Sequence, residues 1–269
     1  MQALGTIMPV LGAHPQAGAS GVALALADMA VTAGLRVRLL DCADPGRSGL
    51  AGVCQIEGRS VSGGEHRAAI RCATRNLPQG VLPVRRLVGT GAPMPVSLVP
   101  GPEAWAATDP EPSDITVVDL GWDIWQLMQP SARIGPLTWC RLPLAPTWPV
   151  FVVRGTAASA ALAEGILARY ALGVRHLGLA ALRGLAVVGG ESWPVQAQAV
   201  MGGLLRQASA MGEFVPLDAE VIRSGWGTAP VPAAVLRAVA ALLSRIDGHV
   251  AQAVDARKPA ARRRRFGRS

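Results

Sequence analysis

The sequence predicts a three-layer α/β fold, built on a mostly parallel, doubly wound sheet in a single domain. Three observations lead there. Short apolar runs of strand length alternate with apolar segments of helix length, as in βαβ units whose helices cover both faces of a parallel sheet. The chain has 269 residues, 50% of them hydrophobic, enough for one large core. Two of the apolar runs end in aspartate, Asp41 and Asp119, which sets acidic groups at the carboxyl edge of the sheet, where such folds hold ligands.

Residues 4–11 (LGTIMPVL) form an apolar run that meets glycine at residue 12, as a buried parallel strand does. Residues 20–33 are apolar nearly all round, a buried helix with Ser20 placed to cap it and Gly34 to end it. Residues 36–41 (RVRLLD) make the next strand. Residues 43–113 are rich in Gly, Pro and Arg, with weak strand signals at 81–88 and 96–99, and read as an elaborated connection of short helix, strands and loops. The pattern then sharpens. Strands are expected at 114–119, 149–155, 184–188 and 213–216, and helices at 156–171, 195–211 and 232–246.

Charge and cysteine usage narrow the function classes. The formal charge is +8, but seven basic residues follow the last acidic one, Asp255, leaving 19 basic against 18 acidic residues in the body. The excess charge therefore belongs to the C-terminal stretch. Arginines outnumber lysines 25 to 1, which reads most simply as compositional bias. Cys42, Cys54, Cys72 and Cys140 have neither C-x-x-C spacing nor histidine pairs near them, so isolated reduced thiols are expected rather than zinc or a redox dithiol. The N-terminus lacks a basic segment of the secretory kind, and the apolar stretch 156–182 is broken by Glu164, Arg169 and Arg175. The expectation is a cytoplasmic protein without a membrane span. Neither G-x-S-x-G nor H-E-x-x-H occurs.

Four pieces occur in an order that resembles the ParA/MinD-type ATPases, the deviant Walker A group of P-loop NTPases. The loop HPQAGASG, residues 14–21, falls on that family's K-G-G-x-G-K-T-T, sharing Gly18 and the hydroxyl of Ser20. The family's D-x-D-P after the second strand corresponds to Asp41-Cys42-Ala43-Asp44-Pro45, one residue longer. Asp119 after ITVV matches the Walker B aspartate. The segment from Phe214 through Pro216-Leu217-Asp218 to Ile246 matches the closing strand, the P-x-D turn near the base and the final helix. The resemblance spans most of the chain outside 46–113.

It implies a nucleotide site at Gly12, His14, Gly18, Ala19, Ser20, Gly21, Asp41, Asp119, Pro216 and Asp218, with ATP or ADP as cofactor and Mg²⁺ held by Ser20 and Asp119. The residues alone allow a plainer reading, in which the loop is a Gly/Ala turn, Ser20 caps a helix and Asp119 satisfies loop backbone. The departures concern charge. A P-loop uses a lysine on the β/γ-phosphates, yet Ala19 stands there, His14 stands at the family's signature lysine, and the only lysine in the chain is Lys258. Pro15 and Gln16 replace two glycines of the loop. Phosphoryl transfer rests on positioning and charge stabilisation. A degenerate member is therefore expected, non-catalytic or weakly active, serving positioning, partitioning or assembly. The alternatives are an active ATPase of DNA partitioning or conjugation that uses an arginine such as Arg36 or Arg47, and a structural subunit of a secretion or conjugation apparatus with an empty pocket. Family resemblance also implies a homodimer and a partner protein.

The histidines His14, His66, His176 and His249 are scattered. Trp122 and Trp125 stand three apart after Asp119, where a helical turn would put both on one face, either as core packing or as a partner patch. Residues 1–250 are expected to form the domain and 251–269 a basic, disordered tail. Its Arg257, Lys258, Arg262, Arg263, Arg264, Arg265 and Arg268 suit a polyanion through counterion release, DNA foremost, with RNA, anionic lipid or a purely solubilising role as the other readings.

Overall fold

The computed structural model describes residues 4–62, 68–89, 94–109, 111–128, 135–141, 145–246, 248 and 251–253. A sheet of nine strands forms its centre, ordered β3-β4-β5-β2-β6-β1-β7-β8-β9. The strands are β1 Thr6–Gly12, β2 Val37–Asp41, β3 Ile56–Ser62, β4 Ala69–Leu77, β5 Gly80–Val88, β6 Ile115–Asp119, β7 Val150–Arg154, β8 Gly184–Val188 and β9 Gly212–Val215. β1 lies between β6 and β7, parallel to both. From β5 across to β9 every neighbouring pair is parallel; β3 and β4 extend the edge as an antiparallel hairpin series on β5. The weak signal at 81–88 is thus a real strand, and the connection 43–113 holds strands and a short helix as expected: β3, β4 and β5, all in the one sheet, and the helix Pro102–Ala106.

Helices cover both faces. α1 (Ala19–Thr32) and α8 (Ala233–Ile246) pack one side, where Leu24, Leu26, Val117, Val152, Val239 and Leu242 share a core. α4 (Ala157–Leu177), with α5 (Val195–Val200) and α6 (Gly203–Ser209), covers the other, together with the buried Trp105 and Trp139. The short α2 (Pro102–Ala106), α3 (Ile124–Leu127) and α7 (Ala219–Ser224) occupy connections. α4 is long and apolar enough to cross a membrane by composition, and it lays Ile166, Leu167 and Tyr170 into the core.

Several expectations need correction. Ser20 does not cap α1: the cap is Gly18, with φ 103° and no side-chain bond, and Ser20 is the second helical residue. The expected strand 96–99 is a 3-10 turn, Val96–Leu98, followed by Pro100. The expected helix 195–211 breaks at Gly202, because the Glu164 carboxylate of α4 enters there and accepts the backbone N–H of Leu204 and Leu205 at 3.0 and 2.9 Å. Residues 251–253, placed in the tail, are helical, and Ala253 packs against the α1/α8 core. The seven basic residues from Arg257 to Arg268 lie outside the described residues, as do His66 and His249.

Candidate nucleotide site

β1 ends at Gly12, and the chain turns through 13–18 before α1 begins at Ala19. Ala13 N–H donates to the Val152 carbonyl, and Ala17 N–H closes a turn on the His14 carbonyl, at 2.8 and 3.1 Å. Gln16 holds φ 67°, alone among the described non-glycine residues in being left-handed. The loop thus keeps a conformation natural to glycine with a residue that resists it, at about 1 kcal/mol or more. Gly18 is left-handed too, its Cα facing Val188 at the end of β8, where a Cβ would stand 3.3 Å from both methyls. With no side chain capping it, the N-terminus of α1 directs its first amides and its dipole at a cavity of about 420 Å³.

That cavity is lined by the loop residues from Gly12 to Gly21, by Arg47 and Gly49 from the connection after β2, by Gly121, Trp122 and Asp123 after β6, and by Trp226. Three chain segments converge on α1 with almost no clearance. A Cβ on Gly21 would stand 2.5 Å from the Trp226 indole nitrogen, and one on Gly49 would stand 3.1 Å from the Ser20 Cβ. Gly121, at φ 53°, packs against Ala43, and the Trp122 indole donates to the Cys42 carbonyl at 2.6 Å. Trp122 and Trp125 do not share a face: Trp125 is exposed, with the Arg169 guanidinium 4.6 Å above its ring.

A buried arginine holds Trp226 in place. Arg75 of β4 forms a fully buried ion pair with Asp28 of α1, and also donates to the carbonyls of Val53, Gly227 and Ala229 at 2.7, 3.0 and 2.7 Å. One guanidinium therefore ties α1 to the segments on either side of it. An arginine within the Gly-, Pro- and Arg-rich connection 43–113 carried no sequence signal of this role.

Beneath the cavity, Asp41 and Asp119 end adjacent strands in direct register, both fully buried. Asp41 accepts the Ser48 hydroxyl at 2.5 Å and the Ala43 N–H at 3.2 Å. Asp119 has no well-formed hydrogen bond to either oxygen, although the Ser20 hydroxyl and the Gly121 N–H lie near enough to ease its ionised form. Burial pushes both carboxyls up, and for Asp119 the neighbouring charge of Asp41 adds to it. An orphaned, buried carboxylate beside a serine hydroxyl is a donor set that suits a hard divalent cation. On that observation Ser20 and Asp119 fit Mg²⁺, and the loop amides fit a phosphate chain.

The other expected residues are distributed as follows. Gly12, His14, Gly18, Ala19, Ser20 and Gly21 line the cavity, while Asp41 and Asp119 sit below it. His14 turns inward: one ring nitrogen meets the Pro15 carbonyl and the other the Ser159 hydroxyl of α4, each at 2.7 Å. The ring nitrogen facing the carbonyl must carry an N–H, and Ser159 itself accepts the Arg154 N–H at 2.9 Å. His14 is thus anchored within its own chain. Pro216 and Asp218 follow β9 and lie outside the cavity lining; Asp218 caps α7 through the N–H groups of Glu220 and Val221. Arg36 is paired with Asp114 at 2.6 Å, at the far end of β2, whereas Arg47 lines the cavity.

The sequence matches no protein-family model and no curated protein. Its fold is similar to solved structures. The septum site-determining protein MinD of Pyrococcus horikoshii, complexed with Mg-ADP, superposes with a TM-score of 0.56 at 17% identity, covering 93% of this chain and 98% of the other. A putative plasmid partition protein of Borrelia burgdorferi bound to AMPPNP gives 0.54 at 10% identity, covering 90% and 98%. A ParA family ATPase of Chlorobium tepidum gives 0.51 at 10% identity, covering 94% and 98%. The chain has the ParA/MinD-type fold.

Proposed function

We propose that this chain, with the ParA/MinD-type fold as its premise, binds a nucleotide at the loop Gly12–Gly21 and turns it over feebly or not at all, serving as a positioning, partitioning or assembly factor. The observation that carries this reading is a cradle without its lysine. The α1 amides and Ser20 line a cavity, with the buried Asp119 behind Ser20 and Gly121, and its loop offers Ala19 where the phosphate-neutralising ammonium belongs. When bound, Mg²⁺ would supply charge to the β- and γ-phosphate oxygens, with Ser20 and Asp119 holding it. The loop amides orient the phosphates, and Trp226 and Trp122 offer aromatic faces beside them. With His14 anchored to Ser159, no lysine replacement reaches outward from this loop. The basic tail then serves as a separate polyanion contact, DNA by preference.

Calorimetric titration with Mg-ADP and a non-hydrolysable ATP analogue, paired with phosphate release, tests the reading. Binding with no turnover above a Ser20→Ala, Asp119→Ala control is expected. Sustained Mg²⁺-dependent release lost in that control would establish an active ATPase instead, and silence in every titration would leave a structural subunit.

A further inference from the structure

We propose that Arg47, in the connection after β2, supplies the cation that the loop lacks, so that the phosphate site is shared between two segments of the chain. This rests on the nucleotide-binding reading above and deepens it. Arg47 lines the same cavity as Gly12, Gly18 and Ser20. Its backbone is fixed. The Arg47 N–H donates to the Asp44 carbonyl at 2.8 Å and the Gly46 N–H to the Asp44 carboxylate at 2.9 Å. The next residue, Ser48, hydrogen-bonds Asp41 and receives the Leu50 N–H at 3.0 Å, and Gly49 rests against Ser20. A long side chain on so short and braced a turn stays within reach of the α1 N-terminus.

Its guanidinium is also free to serve. Arg36, Arg71, Arg75, Arg85 and Arg86 each pair with a carboxylate, and Arg38 donates to the Glu111 carbonyl. Among the described residues, the Arg47 side chain has no ion pair or hydrogen bond. A free, exposed arginine at the mouth of a cavity floored by helix amides suits bidentate contact with phosphate oxygens, which a guanidinium makes with fixed geometry. The ligand class is a nucleoside di- or triphosphate, its phosphates between the loop and Arg47 and its base toward Trp226.

The test measures Kd for Mg-ADP, a non-hydrolysable ATP analogue and inorganic tripolyphosphate, over a salt series, with wild type, Arg47→Ala, Arg47→Lys and, as an exposed arginine away from the cavity, Arg59→Ala. Arg47→Ala should weaken all three ligands by about 10-fold or more and flatten the salt dependence, leaving the thermal midpoint of the unliganded protein unchanged. Arg47→Lys should recover part of the loss, and Arg59→Ala should match wild type. Unchanged affinity in Arg47→Ala, with wild type binding normally, overturns the role of Arg47 and leaves the nucleotide reading standing. A loss confined to the nucleoside ligands also overturns it, since phosphate contact must register with tripolyphosphate. Absence of wild-type binding to all three overturns both.

Discussion

Replacing Asp119 by asparagine should stabilise the unliganded protein at pH 8 and leave it little changed at pH 4. The carboxyl is fully buried with no well-formed hydrogen bond to either oxygen, and its neighbour in register is a second buried carboxyl, Asp41. Burial raises the Asp119 carboxyl from 3.8 to about 7. Each tenfold displacement is worth about 1.4 kcal/mol, so the ionised group carries at most about 4 kcal/mol, and on the order of 2 kcal/mol once the pair shares its proton. The sign follows from proton counting. Between pH 4 and pH 7 the folded state holds a proton that the unfolded state has released, so the native advantage is complete below the unfolded value and is lost as pH rises through the folded one. Asparagine keeps the shape and cannot ionise. Urea unfolding of wild type and Asp119→Asn from pH 4 to pH 8 gives the difference for the Asp41/Asp119 pair, with the more distant titrating groups cancelling. A variant less stable than wild type at pH 8, or a difference that does not vary with pH, would refute the reasoning. Mg²⁺ at millimolar concentration should stabilise wild type at pH 8 and not the variant.

Three further outcomes are expected. Arg75→Met strands the Asp28 carboxylate in the core and frees the Gly227 and Ala229 carbonyls, at a cost of roughly 3–5 kcal/mol, which chemical denaturation measures, with a red shift of tryptophan emission from the released Trp226 loop. Gly21→Ala puts a methyl where the Trp226 indole lies, 2.5 Å away; nucleotide affinity and tryptophan quenching should change together, whereas an unaltered spectrum would mean that the ring does not rest there in solution. Deleting 257–269 removes seven cations and should abolish most binding to DNA, with its salt dependence, while leaving the melting temperature unaltered; retention of binding with the same salt slope would assign the contact to the globular surface.

How far the fold could be read depended on where the arginines lie. β1, β2 and β6 are buried, apolar and ended by glycine or aspartate, so their pattern is unambiguous. β4 and β5 were obscured because Arg75, Arg85 and Arg86 occupy buried or half-buried strand positions, each answered by an acid distant in sequence, Asp28, Asp109 or Glu57. No local pattern reveals a partner 47 residues away. The helix 195–211 failed for the same reason: Glu164 makes the break, and the tandem glycines 202 and 203 were its only local sign. The glycine loop after β1 and the aspartates ending β2 and β6 were legible from the strand pattern, whereas a nucleotide role for them came only from the family resemblance. The nearness of Arg47 and Trp226 was not legible, since it is set by the Arg75 hub and the braced turn after Asp41. The P-x-D likeness was visible at Pro216 and Asp218, but helix capping accounts for the Asp218 carboxylate.

The absence of lysine from the loop and the presence of a costly cavity argue in opposite directions, and the cavity weighs more. A chain using this segment merely to start a helix has no reason to hold Gln16 at φ 67° or to bury Asp119 without a well-formed hydrogen bond. Each of these destabilises the unliganded fold, by about 1 kcal/mol or more for the backbone and on the order of 2 kcal/mol for the carboxylate. Simple substitutions would relieve both, glycine at 16 and asparagine at 119. Strain of this kind is offset when a ligand binds the native state alone and takes up the orphaned group. The same argument favours binding over turnover. On the reading proposed above, a metal at Asp119 and phosphates on the α1 amides would relieve the ground state, while the positions expected to carry charge toward a transferring phosphoryl group, 14 and 19, hold a tethered histidine and an alanine.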